Sequence, residues 1–321
     1  MKKVFITGGA GFVGSRVAHQ FLEQGYSVYI YDTFKQYLIP DPHEEQPNLL
    51  IRLADIFDKI ELVQGDTLNK DFLRRTLFKI KPDVIVHMAA LPLAVVAIEQ
   101  TEEAFNSILD STINILEIVR DFDHDCKVVY TSSSMVYGDF ESDYVSEISE
   151  TKPKDIYGSF KLCGEIIVNG YRQRYGIDTT IVRPSAVYGP YDGNKRVLYK
   201  FIKMAMNGEP IPIDGDGSMK LDFTFVEDTA IGFYLASTHE NASGQIFNIT
   251  RGKAEKLIDA VNIIKKHIPG VKILYREAPS YMPNRGTLDI SKAKDILGFK
   301  PKYNLENGLK IYMEHLKKNN I

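Results

Sequence analysis

Near its start the chain reads KVFITGGAGFVGSRVAHQFLE (3–23): an apolar run, three spaced glycines, then a helical pattern. KVFIT has the continuous Val, Ile and Phe content of a short strand buried on both faces. Phe12 to Gln24 has helix-like periodicity. Gly8, Gly11 and Gly14 fall between the two at the spacing G-x-x-G-x-x-G. A strand that passes through glycines into a helix leaves the first helical N–H groups unpaired. That terminus favours an anion, and the glycines let a pyrophosphate approach the backbone. A plain glycine turn would carry the same letters. The acid that closes the next strand, SVYIYD (27–32), separates the two readings. Asp32 lies about 20 residues on, where a carboxylate can accept from ribose hydroxyls and would repel a 2′-phosphate. The pattern therefore points to NAD rather than NADP.

The strand–helix alternation continues. IELVQGD (60–66), DVIVHMAA (83–90), CKVVYTSS (126–133) and TTIVRPS (179–185) read as further strands. Glu102 to Asp121 and Ile156 to Tyr175 read as long helices. Helices between buried strands force parallel pairing, so the expected fold is α/β, a doubly wound parallel sheet of Rossmann type. After Pro184 the texture changes. YGPYDGNK (188–195) and GEPIPIDGDGSMK (208–220) are loop-rich, with a helix over Val197 to Met206 between them. DTAIGFYLAS (228–237) reads as a helix and QIFNIT (245–250) as a strand that can rejoin the sheet. The expected division is an NAD-binding domain over 1–185 plus about 222–250. A smaller C-terminal α/β substrate domain takes about 186–221 plus 251–321.

Bulk properties narrow the partners. Formal net charge is −3, which gives no electrostatic reason to bind nucleic acid or an anionic membrane. Two cysteines, Cys126 and Cys163, make no disulfide framework and suit a reducing, cytoplasmic setting. No apolar run reaches the roughly 18 residues of a membrane span. The opening MKKVFITGGAGF reads as strand and turn, not as a signal peptide.

Three residues read as a catalytic set. Tyr157 and Lys161 are four apart on a helix and share a face. An ammonium beside a phenol should favour the phenolate, and a cationic nicotinamide should add to this. Such a tyrosine can take a proton from a sugar hydroxyl while hydride leaves the same carbon. Ser133, in VVYTSSSMVYG (128–138), closes the fifth strand, where side chains reach the cleft at the sheet's carboxyl edge. Its hydroxyl can bridge substrate and Tyr157. A serine-rich turn is the plain alternative. For Asp66, holding the adenine edge and capping a helix remain equal readings. His87, in HMAA (87–90), has no ligand-spaced histidine near it and reads as structural, so no metal is expected.

These motifs resemble the extended short-chain dehydrogenase/reductases, the NAD-dependent nucleotide-sugar epimerases and dehydratases. The likeness extends through YGSFKLCGE (157–165), RPSAVYGP (183–190), GEPIPIDGDGSMKLDFTFVEDTA (208–230) and ISKAKDILGFKPK (290–302). It implies an enzyme that oxidises a nucleotide sugar at C4 with a retained, tightly bound NAD. It makes Tyr157 the catalytic base, Lys161 the holder of the nicotinamide ribose and Ser133 the hydroxyl partner. Phe12 and Val13, beside the glycines, and Asp66, Thr67 and Ala89 join Asp32 in the cofactor site. Ser134, Met135, Arg196 and Arg285 fall at substrate positions. The sugar would be UDP- or GDP-linked, and the helices 102–121 and 156–175 would pair two copies as a homodimer.

Met135 bears on the reaction. Family 4,6-dehydratases and decarboxylases resemble this chain here but carry an acid two residues after the hydroxyl residue. A thioether moves no protons, so a 4-epimerase is the expected outcome. Dehydration would need Asp139 or Glu141 as a substitute. Two further departures concern the pocket. Leu221 stands for a usual Arg, leaving Lys220 or Arg285 to meet phosphate. Ile108 stands for a usual Asn, near the apolar segment PLAVVAIEQ (92–100). A pocket reshaped there could release the 4-keto sugar, making the protein a 4-dehydrogenase whose NADH a second substrate reoxidises. Some relatives only sense NAD, but those lose the Tyr, the Lys or the glycines. Arg183 and Tyr188 could touch substrate or pack, and Lys195 with Arg196 could meet a nucleotide or solvent.

Overall fold

In a computed structural model, residues 1–35, 49–92, 94–194, 196–277 and 284–319 are described. Seven strands form one sheet: β1 (Lys3–Thr7), β2 (Ser27–Asp32), β3 (Ile60–Gln64), β4 (Val84–His87), β5 (Lys127–Thr131), β6 (Thr179–Pro184) and β7 (Ile246–Ile249). Their order is β7-β6-β5-β4-β1-β2-β3, and every pairing is parallel. The α/β doubly wound expectation holds. The chain builds β1 to β3 in one direction, then returns to lay β4 on the other side of β1. That reversal opens a crevice beyond the carboxyl ends of β1 and β4.

Alternation along β1 supplies both faces. Val4 and Ile6 pack with Val17 and Phe21 of α1 (Phe12–Glu23) and with Phe233 of α8 (Val226–Thr238). Phe5 points the other way, against Leu73 and Leu77 of α2 (Lys70–Ile80) and Ile115 of α5 (Ser111–Arg120). Each such fully buried side chain contributes about 1.5–3 kcal/mol. A separate cluster joins α7 (Val197–Met206), α9 (Leu257–His267) and α11 (Leu305–Lys318) through Phe201, Ile202, Val261, Ile264 and Leu309. The helix α10 (Ser291–Leu297) packs instead on the sheet, with Ala293 and Leu297 against Phe247 and Ile249.

Several boundaries differ from the sequence reading. The strand at 83–90 stops at His87, and the one at 126–133 stops at Thr131. The single helix over 102–121 is three pieces: α4 (Thr101–Phe105), a wide π turn at Asn106–Asp110, and α5. Hydroxyls cause the break. Ser111 and Thr112 donate to the carbonyls of Ser107 and Ile108, both at 2.5 Å, while Ser107 Oγ accepts from Leu91 N at 3.1 Å. Such back-bonding competes with the regular ladder and widens the turn. The predicted strand at 245–250 does rejoin the sheet, as β7 beside β6. No described helix is long and apolar enough to cross a membrane.

Candidate active site

The crevice is a cavity of about 450 Å³. Its floor is the glycine loop. Gly8 has φ +69°, and a Cβ there would lie 2.8 Å from the Ala89 amide nitrogen. A Cβ on Gly14 would lie 2.3 Å from the Gly8 carbonyl oxygen. Only glycine allows helix, strand and loop to approach this closely. Gly11 caps α1 with no side-chain hydrogen bond, and Phe12 and Val13 of the first turn line the cavity. This cradle, open to an anion at a helix N-terminus, fits the pyrophosphate of a dinucleotide.

Asp32 closes β2 at the cavity edge. Its Oδ2 accepts from Ala10 N at 2.9 Å and its Oδ1 from Phe34 N at 2.8 Å. Burial pushes its carboxyl up, while those amides and Arg52 pull it down. Asp66 and Thr67 line the same end, and Ala89 lines it from the loop after β4. Asp66 also folds its own turn, accepting from Leu68 N at 2.9 Å. Thr7 organises the β1–β4 junction: its hydroxyl accepts from Met88 N and Ala89 N, each at 3.1 Å, and pairs with His87 Nδ1 at 2.8 Å. His87 Nε2 meets Thr112 and Ser111, and burial pushes its pKa down to about 3. It is a neutral structural side chain.

Tyr157, Lys161, Ser133 and Met135 all line the other end of the cavity. The helix α6 (Ile156–Tyr175) carries the first two on one face, its start capped by Asp155, which accepts from Gly158 N at 2.7 Å. Ser133 lies two residues beyond β5 and caps the turn Ser134–Tyr137, accepting from Met135 N at 3.2 Å. Ser132 and Ser133 thus line the cavity, while Ser134 opens the turn. Lys161 is 3% exposed and donates to Thr131 O at 2.8 Å. Burial lowers its pKa to about 7, opposed by Glu165.

The tyrosine corrects an expectation. Burial pushes the Tyr157 phenol up to about 12, with Arg196 and the Ser133 hydroxyl pulling against it. Lys161 Nζ sits 5.7 Å from the ring centroid and spends its bond on Thr131. The cation opposing the phenol's burial is Arg196, which lines the cavity, more than the lysine one turn away.

Other expected residues stand elsewhere. Ser134 and Arg285 are buried but do not line the cavity. Ser134 Oγ donates to Ser185 Oγ at 3.0 Å, and Arg285 Nη1 donates to Ser134 O at 2.9 Å. Arg285 Nη2 reaches the Met135 sulfur from behind. Lys220 pairs with Asp143 at 3.3 Å, away from the cavity. Asp139 bonds Lys154 and Asn284 N, and Glu141 pairs with Lys152; neither lines the cavity. Arg183 and Tyr188 are buried, and Lys195 lies outside the described residues. Ile108 packs beneath Tyr157 with Val96 and Ala97 of α3 (Ala94–Glu99).

Two features escaped the sequence reading. Arg52 lines the cavity beside Asp32, from a segment with no motif. Glu165, one turn past Lys161, accepts from Ser132 and Arg183 in a fully buried network. Its i+4 spacing from Lys161 was a usable signal.

The arrangement joins an anion cradle and a strand-end carboxylate to a tyrosine, a serine and a lysine at one crevice. Comparison with known proteins agrees. The family model for the NAD dependent epimerase/dehydratase family matches residues 4–250. A Methanocaldococcus jannaschii protein carrying the provisional name UDP-glucose 4-epimerase is 33% identical, with 99% of each chain covered. The UDP-glucuronate 4-epimerase 4 of Arabidopsis thaliana is 30% identical over 97% of this chain and 74% of its own. The structure of the Bacillus cereus UDP-glucuronic acid 4-epimerase, in complex with UDP-glucuronic acid and NAD, superposes with a TM-score of 0.88 at 27% identity, over 99% of both chains. This chain is therefore an enzyme belonging to the NAD-dependent epimerase/dehydratase family.

Proposed function

We propose that the protein is a nucleotide-sugar 4-epimerase, acting on a UDP-linked sugar through a 4-keto intermediate. The observation that carries this is the cavity's acid inventory. Among the described residues its carboxylates are Asp32, Asp66 and Glu103, and none belongs to the Ser133–Tyr157–Lys161 end. Met135 occupies the wall where an eliminating enzyme needs an acid, and neither Asp139 nor Glu141 reaches the cavity. Proton transfer at this end is therefore left to Tyr157 with Ser133 and Lys161 beside it, which suffices to remove and return a proton at the C4 hydroxyl.

NAD, held by the glycine loop, Asp32 and Lys161, supplies the hydride acceptor at C4 when bound. Ser133 orients the sugar hydroxyl toward Tyr157, and Arg196 favours the phenolate as that proton leaves. The relatives' names support UDP as the nucleotide. The division into an NAD-binding domain over 1–185 and about 222–250, with a substrate domain in the remainder, is part of this reading. So is a cytoplasmic homodimer. Phe105 of α4, with Ile156 and Ile166 of α6, leaves an exposed apolar face that a second copy can cover.

Proton NMR of the purified protein with a panel of UDP- and GDP-sugars tests the proposal. Conversion of one sugar to its C4 isomer with no cofactor consumed is the expected result. Oxidation of a sugar with NADH building up on the protein would overturn it in favour of a 4-dehydrogenase.

A further inference from the structure

Arg52 ends a short 3-10 turn at Leu49–Arg52 and is only 6% exposed. It joins two loops far apart in sequence. Its Nη1 donates to Ala10 O at 3.2 Å, inside the glycine loop, and its Nε donates to Tyr191 O at 3.0 Å. Ala10 is held through both of its flanking peptide groups, since its N–H donates to Asp32 while its carbonyl accepts from Arg52. Tyr191 holds φ +68°, a left-handed conformation that costs a non-glycine residue energy and needs support.

The charges continue the link. Arg52 faces both Asp32 and Asp192 as countercharges. Asp192 is 3% exposed and accepts from Arg196 Nη1 at 2.6 Å. Its second oxygen, Oδ2, is buried with no hydrogen-bond partner. Arg196 in turn lies over the Phe12 ring at 5.6 Å, above the first turn of α1. A row of alternating charge, Asp32, Arg52, Asp192 and Arg196, thus runs from the ribose carboxylate to the guanidinium that bears on Tyr157. Gly193 and Asn194, just past Tyr191, line the cavity.

We propose that Arg52 is a positioning residue that couples dinucleotide binding at the glycine loop to the order of the 189–194 loop beside the reacting end. A ligand held by Asp32 fixes Ala10 through its N–H, the Ala10 carbonyl fixes Arg52, and Arg52 fixes the strained Tyr191 turn. The guanidinium suits this task because its rigid fork makes two bonds at a set angle, which an ammonium cannot reproduce. Coupling then rests on one element whose order both ends bias. The proposal depends only on the dinucleotide half of the functional reading.

Hydrogen exchange with adenosine tests it. Adenosine carries the ribose that Asp32 can hold, and no phosphate to reach Arg196. It should slow amide exchange at 8–14 and, through Arg52, at 189–194 by about five-fold or more. Arg52→Lys should keep the first effect and lose the second. Slowing at 8–14 alone in the native protein, or slowing at 189–194 that survives Arg52→Lys, overturns the coupling and leaves the dinucleotide reading intact. No slowing at either segment overturns both. Should Arg52→Lys fail to fold, the native response to adenosine decides.

Discussion

Arg183 Nε donates to Glu165 Oε1 at 2.8 Å, and both side chains are 3% exposed. Ser132 Oγ donates to the same oxygen, and Arg183 Nη1 passes on to Tyr137 at 2.9 Å. The pair pins the strand end that carries Ser133 to the helix that carries Tyr157 and Lys161. Glu165→Gln leaves a buried guanidinium without its countercharge, at a cost of about 3–5 kcal/mol. Scanning calorimetry should show the unfolding midpoint down by roughly 6–20 °C. An unchanged midpoint would show that the pair does not hold the fold.

Lys161 gives a pH dependence with a definite sign. Its folded pKa is lowered to about 7 from an ordinary 10.5. Between those values the unfolded chain binds a proton that the folded one does not, so this group's contribution to stability rises with pH across the window. Lys161→Met removes that contribution. Urea unfolding of native and variant from pH 7 to pH 10 should show a steeper rise for the native protein. Parallel curves would contradict the burial-driven shift.

Tyr157→Phe removes the hydroxyl proposed to take the sugar proton and leaves the ring packed on Ile108 and Val96. Turnover should fall by roughly 10²–10⁴-fold, the span of a lost general base. Bound NAD, measured after acid release, should stay at the native level. Full activity in the variant would remove Tyr157 from the chemistry.

Much of this site was legible in the sequence because its residues sit at fixed offsets within single elements. Gly8, Gly11 and Gly14 answer to one backbone turn, and Tyr157 and Lys161 to one helical face. Asp32 is found by counting to a strand end. The sheet was legible for the same reason: Val- and Ile-rich runs alternate with helical periods. Arg52 was not legible, because its partners, Ala10 and Tyr191, are reached only by folding. The π turn at Asn106–Asp110 was hidden too, since it arises from hydroxyls bonding back to carbonyls inside an otherwise helical pattern. The raised pKa of Tyr157 comes from burial, which spacing does not encode.

Gly14→Ala tests the cradle. Its Cβ would meet the Gly8 carbonyl at 2.3 Å and the Gly9 Cα at 2.9 Å, both backbone atoms that cannot swing aside. The glycine loop must then move away from α1 and open the anion site. NAD titration by calorimetry should show affinity lost by at least tenfold, along with a lower unfolding midpoint. Native affinity in this variant would mean that the close approach of loop and helix is not what binds the cofactor.

Met135→Glu places a carboxylate where an eliminating enzyme would want one, yet dehydration should not follow. Arg285 is already there: its Nη2 reaches the Met135 sulfur and its Nη1 is fixed to Ser134 O at 2.9 Å. A new glutamate would meet that guanidinium at close range. The cation favours the ionised form and lowers the carboxyl pKa. An ionised glutamate could take a C5 proton, but no second carboxyl group among the described lining residues at this end would protonate the leaving hydroxyl, and the ion pair would draw the glutamate toward Arg285 and out of the cavity. Turnover should fall, because the turn that carries Ser133 must adjust to the new pair. Proton NMR of the sugar product should show no C6 methyl signal. A methyl signal would mean that one acid at this position is enough to change the reaction, and that Arg285 does not control it.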